Sequence, residues 1–375
     1  MIIQRVLTSY RESFFERLRL DLAEASVDLE VLVGPSDDLE KGRGFEGKLP
    51  WAVRTNSRVF RLGRRRLVWQ SVLGRTQGAD LVVVEQASRL LVNYVLLSKR
   101  LFGGPKIAFW GHGKNITDVS SSAVGEWLKR RLICSADWWF AYTENTAKLV
   151  IASGYPRERV TILRNSTDTV RIMESRAAVS GADEESVRRE LGIDKNSVVG
   201  LVLGSVYSQK RPQFMVDAAD SVRREITDFH LLIVGDGPLT QVYESAALSR
   251  SWMHVLGRQE NDDLARYASV ASAMLNPGLL GLAVLDAFAL GLPVVLCELA
   301  YNAPEAAYVQ PGLNAIVLPG LANSEHFAQA TIALLRDSEL RAQLSVSAVE
   351  TASSYSTEDY ARNFADGVLG CLGVL

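Results

Sequence analysis

The stretch VVGLVLGSVYSQKRP, Val198 to Pro212, sets the architecture: a β-branched apolar run stops at a glycine, a short polar loop follows, and a proline opens the next helix. Apolar strand, glycine turn and helix start, in that order, begin a βαβ unit whose strands lie parallel and are buried on both faces. The punctuation recurs in LLIVGDGP, Leu231 to Pro238, and in NPGLLGLAVLDAFALGLPVV, Asn276 to Val295. Working outward, strands are expected at Val198 to Leu203, His230 to Val234, Trp252 to Leu256, Ala273 to Leu275, Pro293 to Cys297 and Ala315 to Leu318. A second set is expected at Ile3 to Leu7, Leu29 to Val33, Leu81 to Glu85, Ile107 to Gly111, Trp138 to Tyr142 and Val160 to Leu163. Each half therefore reads as an α/β, doubly wound parallel sheet.

Between the two sets lies ESRAAVSGADEESVRRELG, polar and rich in Ser, Ala and Glu. It predicts a Rossmann-like domain over residues 1–170, a linker over 171–194 and a second Rossmann-like domain over 195–354. Tyr360, Phe364 and Val368 recur at spacing four, so a terminal helix within 355–375 is expected, packing back on the first domain.

A chain of 375 residues with 47% hydrophobic and 22% charged side chains can bury two cores and is neither disordered nor fibrous. No apolar run approaches the roughly 20 residues that cross a bilayer. The charged amino terminus lacks a signal-peptide core, and a cytoplasmic location is expected. Cys134, Cys297 and Cys371 are far apart and odd in number, which argues against a disulfide framework and a zinc site. The formal net charge of -2 conceals a basic first half, with 26 Lys and Arg against 18 Asp and Glu before residue 171.

In open α/β sheets, ligands bind beyond the carboxyl ends of the strands. GSVYSQKRP, GDGP and PGLLGL all fall there. The loop Gly278 to Gly281 lets backbone amides approach an anion at the amino end of a helix starting near Leu282. Lys210 would add a compact positive charge, and Asp286 could accept ribose hydroxyls. Together they outline a diphosphate site. Asp286 sits among Val284, Leu285, Ala287 and Phe288, and a carboxylate in so apolar a helix needs a partner. His112, flanked by Gly111 and Gly113 after an apolar strand, is placed to meet a ligand, whereas His230, His254 and His326 read as packing or surface. Glu85 reads as structural.

The order of these motifs resembles glycosyltransferase family 4, over most of the chain and most strongly from Gly204 to Asn314. Gly204 to Lys210 resembles the family's phosphate-binding segment, Gly235 to Pro238 its glycine turn, Leu256 to Arg258 its base-binding loop, and Gly278 to Asp286 its Glu-x7-Glu signature. FWGHGKN places His112 where the family positions a histidine near the donor sugar, and NSTDT at Asn165 to Thr169 resembles its interdomain motif. The resemblance implies a GT-B fold, two Rossmann-like domains facing across a cleft, and a retaining transfer from a UDP- or GDP-linked sugar. Donor contacts are then expected from Gly204, Ser205, Lys210, Gly235, Gly257, Arg258, Gly278, Leu280, Gly281, Leu282 and Asp286. His112, Lys210 and Asp286 take catalytic roles, and Tyr10, Arg11 and Asn115 lie on the acceptor side. With no Asp-x-Asp motif, neither a metal nor another cofactor is expected. Three positions depart from the commoner pattern: Ser205 replaces an arginine, Gly278 the first glutamate, and Asp286 the second. A branch with a Pro-Gly-x-x-Gly-Leu loop also lacks that first glutamate.

The family commonly implies a glycan or lipid-linked acceptor in surface polysaccharide synthesis. The run RVFRLGRRRLVW, Arg58 to Trp69, reads either as a solvated basic surface or as a peripheral contact with anionic lipid at the inner face of the cell membrane, since six of the seven tryptophans share its basic half. The near-neutral total charge and the lack of a recognised module argue against nucleic acid. Two rival readings share the architecture: a sugar-nucleotide epimerase or glycoside phosphorylase, and a non-catalytic partner that has lost donor binding.

Overall fold

A computed structural model describes residues 1–36, 47–63, 65–113, 131–259, 261–299, 304–320 and 322–374. The chain divides into two compact units, the first comprising residues up to Asn165 together with Thr357–Leu375, the second Ser166–Ser356.

The first unit contains β1 (Ile2–Gln4), α1 (Glu12–Glu24), β2 (Val31–Val33), β3 (Val53–Arg54), β4 (Ser57–Leu62), β5 (Arg65–Gln70), β6 (Leu81–Glu85), α2 (Leu91–Arg100), β7 (Lys106–Gly111), β8 (Trp138–Ala141), α3 (Glu144–Ala152) and β9 (Val160–Ile162). Seven of these strands form one sheet in the order β3-β2-β1-β6-β7-β8-β9, with every neighbouring pair parallel. The terminal helix Thr357–Leu372 belongs to this unit and packs on α1, where Tyr360 stacks on Phe14 at 4.3 Å and Phe364 on Phe140 at 4.2 Å. Gly367 makes the close approach to the sheet possible: a Cβ there would lie 2.5 Å from the Phe140 ring.

The second unit contains α4 (Thr169–Ala178), α5 (Gly181–Leu191), β10 (Val198–Leu203), α6 (Pro212–Glu225), β11 (Phe229–Val234), α7 (Thr240–Ala247), β12 (Met253–Gly257), α8 (Asn261–Ala268), β13 (Ala273–Asn276), α9 (Ala283–Ala289), β14 (Val294–Cys297), β15 (Ala315–Leu318), α10 (Ser324–Arg336) and α11 (Ser338–Ser353). Its sheet is wholly parallel in the order β12-β11-β10-β13-β14-β15. Helices cover both faces, which is why β10, β11, β13 and β14 read as near-continuous apolar runs.

Two segments differ from expectation. Residues 171–194, expected as a linker, are mostly helical. Ser180 and Asp183 form a reciprocal capping box at the start of α5, and Gly192 ends it in the left-handed conformation. Ile172, Val187 and Ile193 are buried in the second unit's core, so the polar composition belongs to amphipathic helices with one buried stripe. The basic run Arg58 to Trp69 is the antiparallel ribbon β4–β5, turned at Gly63 with φ 58°. The tryptophans of the basic half also divide: Trp110 and Trp139 are core residues, whereas Trp69 is half-buried on the ribbon.

Candidate functional site

In the second unit, β10, β11 and β12 step outward in chain order, and β13 starts on the opposite side of β10. Strand order reverses there, and open α/β sheets hold ligands at such reversals. Three loops interlock at these strand ends. Gly204 N donates to Val234 O at 2.9 Å, Gly235 N to Gly257 O at 2.7 Å, and Val206 N to Asp236 O at 3.0 Å. Gly235 has φ 146°, and a Cβ on it would lie 1.9 Å from Gly204 O. Backbone thus crosses backbone where only glycine fits. The structure brings Gly204, Gly235 and Gly257 side by side, with Ser205 and Arg258 following two of them and half-buried.

Lys210 ends the short 3₁₀ turn Ser208–Lys210, which Arg211 closes in the left-handed conformation at φ 56°. The Arg211 guanidinium donates to Pro277 O at 3.1 Å and lies 3.9 Å from the Phe214 ring centroid, fixing the turn against the loop after β13. Lys210 Nζ makes a long contact of 3.5 Å with Asn276 Oδ1. Burial lowers its pKa to about 8, and it has no ion-pair partner among the described residues. Asn276, which sequence reasoning missed, also donates from Nδ2 to Gly278 O at 3.0 Å. A polar residue ending a buried apolar strand was the available signal.

Gly278 explains one departure from the commoner signature. A Cβ at this position would lie 2.3 Å from Gln209 O and 2.5 Å from Lys210 Cα, and Leu279 N donates to Gln209 O at 2.8 Å. The lysine turn is packed directly on the glycine. Glutamate has no room here.

Asp286 lies on α9 and accepts a hydrogen bond from Thr167 Oγ1 at 2.7 Å. Burial raises its pKa to about 6, against the lowering effect of that hydrogen bond. The flanking residues of NSTDT are structural: Ser166 and Thr169 hydroxyls each donate to Tyr355 O at 2.7 Å, and Asp168 caps α4. Leu280 is fully buried, so only its backbone can meet a ligand. The carbonyls of Gly281 and Leu282 accept from Val284 N and Leu285 N as α9 begins. Lys210 is paired with Asn276, and Asp286 with Thr167.

In the first unit the strand order reverses between β1 and β6. Arg11 is buried beneath the strand ends, with its guanidinium 4.4 Å from the Trp110 ring and hydrogen-bonded to Gln4 Oε1 at 3.1 Å and to the Tyr142 hydroxyl at 2.6 Å. Burial pushes the Tyr142 phenol up to about 12, so it stays neutral. The Tyr142 ring lies 4.4 Å from that of His112, whose carbonyl accepts from Thr146 Oγ1 at 3.4 Å. His112 is exposed at the end of β7. Arg11, Tyr142 and His112 are thus brought together, with Tyr10 half-buried in the turn beside Arg11. Glu85 accepts from the Arg5 amide at 2.9 Å, a loop-fixing role. Asn115 lies outside the described residues.

Residues 197–337 match the family model for glycosyl transferases group 1. Alpha-monoglucosyldiacylglycerol synthase of Acholeplasma laidlawii is 24% identical over 186 residues, covering 48% of this chain and 45% of the relative, so the chain spans under half of that relative's length. Alpha-D-kanosaminyltransferase of Streptomyces kanamyceticus is 24% identical over 352 residues, 88% of this chain and 84% of the relative. Among solved structures, HepE of Anabaena in complex with UDP-glucose superposes with a TM-score of 0.66 at 15% identity, covering 98% of each chain. Two parallel-sheet units, the group 1 match in the second of them and these likenesses together support a GT-B glycosyltransferase.

Proposed function

We propose that the protein is a retaining, metal-independent glycosyltransferase of the family 4 type, moving a hexosyl group from a UDP- or GDP-linked donor to the hydroxyl of a lipid-linked glycan. One observation carries the donor site: the Lys210 ammonium is desolvated to a pKa of about 8 with no counter-charge among the described residues, at the strand-order reversal of a group 1 domain. A desolvated cation with no anion beside it is costly to keep. A diphosphate supplies the missing charge, and Gly204, whose φ of 106° favours glycine and whose Cβ position meets no backbone atom, lets it come close to the chain.

Departure of the nucleoside diphosphate leaves positive charge on the sugar and negative charge on the phosphates. Lys210 is preorganised against the second, a larger effect in a desolvated site than in water. Asp286, held by Thr167, accepts donor hydroxyls, and His112 orients the sugar. The acceptor hydroxyl attacks from the face the diphosphate leaves, and its proton passes to the diphosphate oxygen, so the anomeric configuration is kept. The names of both curated relatives specify alpha-linked sugars, the outcome of retention with an alpha-linked donor. The glycolipid named for the Acholeplasma relative supports a lipid-linked acceptor, and the UDP-glucose held by HepE supports a uridine donor. Such an acceptor places the enzyme at a membrane surface. Among the described residues, no helix is long and apolar enough to cross one.

The test is thermal stabilisation by UDP, GDP, ADP, CMP and their sugar conjugates, with magnesium and with chelator. A shift of several degrees by one nucleoside diphosphate, kept in chelator and lost in Lys210→Ala, is expected. The absence of any shift at saturating nucleotide refutes the reading in favour of a non-catalytic protein. Activity lost in chelator refutes metal independence.

A further inference from the structure

We propose that the β4–β5 ribbon is the surface through which this protein docks on an anionic lipid bilayer, an inference that builds on the lipid-linked acceptor above by naming the element that meets the membrane. Gly47 to Ala79 contains eight Lys or Arg and no Asp or Glu, a density of one sign unmatched elsewhere in the chain. Its centre is the ribbon, which forms a two-stranded sheet apart from both parallel sheets.

The ribbon is anchored at its base, and its described residues are exposed toward the tip. Gln70 Nε2 donates to Gln4 O at 3.0 Å and Val68 N to Arg89 O at 2.8 Å, and both residues are buried. Side chains alternate along a strand, so Trp69 and Leu67 point away from that buried face. Their cross-strand partners are Arg58 and Phe60. The outward face therefore carries an Arg58–Trp69 pair followed by a Phe60–Leu67 pair, with Phe60 49% exposed, while Val59 and the Arg61–Arg66 pair lie on the other face, the one that buries Val68 and Gln70 nearer the base. Arg61 stands directly opposite Arg66, and both are exposed.

A ribbon made only to be solvated would carry charges of both signs and keep phenylalanine inside. Exposed aromatic and aliphatic side chains gain nothing from water. Anionic headgroups attract the exposed Arg58 and Arg61, and the interfacial layer of the bilayer takes up the apolar side chains. A second copy of the chain is disfavoured because its own arginines would repel these. Nucleic acid would use the arginines and stack on Phe60 or Trp69, but it leaves Val59 and Leu67 without a role.

The test is co-sedimentation of the full chain with vesicles of phosphatidylcholine alone and with about one third phosphatidylglycerol, comparing wild type, Arg58→Ser/Arg61→Ser and Phe60→Ser. Wild type should bind the anionic vesicles and spare the neutral ones. Each arginine near the surface is worth about fivefold, so the double variant should bind at least tenfold more weakly. Phe60→Ser, which keeps every charge, should lose on the order of tenfold through lost insertion. The nucleotide-induced thermal shift should be identical in all three, because none of these residues belongs to the donor site. Absent binding by wild type, or unchanged binding by both variants, overturns the proposal. So does a single-stranded oligonucleotide bound as tightly as vesicles with Phe60→Ser silent, or a wild-type dimer that Phe60→Ser dissolves. A missing nucleotide shift overturns the transferase reading alone, leaving the sedimentation result to decide the docking surface.

Discussion

Raising the pH from 7 to 9 should weaken nucleoside diphosphate binding about tenfold. With the Lys210 pKa at about 8, the ammonium is about nine-tenths populated at pH 7 and about one-tenth at pH 9. If the charged form is what holds the phosphates, affinity follows that fraction. A bound diphosphate also restores the proton, so binding at pH 9 should take up close to one proton. The sign of the linkage in the free protein is opposite to that of an ordinary paired lysine. The folded pKa is depressed below 10.5, so the unfolded chain binds more protons between about 8 and 10.5, and stability rises with pH across that window. Below pH 8 the desolvated charge of this half-buried lysine costs the free protein up to about 3 kcal/mol. Lys210→Met should therefore stabilise the ligand-free protein at pH 7 while weakening nucleotide binding by about 1.5–3 kcal/mol, the usual worth of a hydrogen bond to a charged group. Isothermal titration calorimetry of UDP and GDP at pH 7 and 9, in buffers of different ionisation heat, measures affinity and proton uptake together. A flat affinity between the two pH values, or a slope that persists in Lys210→Met, would refute the assignment.

Asp286→Asn should stabilise the protein at pH 7 and abolish transfer. The folded carboxyl keeps its proton to about pH 6 against 3.8 when unfolded, so wild-type stability falls as pH rises through that window and the variant's does not; urea unfolding at pH 4.5 and 7 measures the divergence, and parallel curves would contradict it. Gly278→Ala should lose at least tenfold in nucleotide affinity, and Gly278→Glu should lose more despite restoring the commoner carboxylate, because either Cβ meets Gln209 O at 2.3 Å and displaces the lysine turn. A gain of affinity in Gly278→Glu would show the turn to be pliable. Tyr142→Phe removes a 2.6 Å partner from a buried guanidinium and should cost about 1–3 kcal/mol in urea unfolding; a cost near zero would mean that water replaces the phenol.

The βαβ grammar was legible wherever local signals agreed. Among the described residues, apolar runs and glycine stops located twelve of the thirteen strands of the two large sheets to within three residues at either end, and missed the two-residue edge strand β3. The signals conflicted in residues 171–194, where polar composition concealed buried stripes at Ile172 and Val187, and in Arg58 to Trp69, where five arginines masked the alternation of a ribbon. In both, composition spoke to solvent exposure while periodicity spoke to structure, and periodicity was the better guide.

The sequence by itself determined where backbone could pass close to backbone, since Gly204, Gly235, Gly257 and Gly278 announce that freedom locally, and it determined that a lysine follows the first of those turns. Only the tertiary structure decided the surroundings of Lys210 and Asp286. Asn276 reaches Lys210 from 66 residues away because β10 lies beside β13, and Thr167 reaches Asp286 from 119 residues away. Desolvation depends on everything packed around a group, so a desolvated lysine or carboxyl cannot be told from a solvated one until the chain is folded.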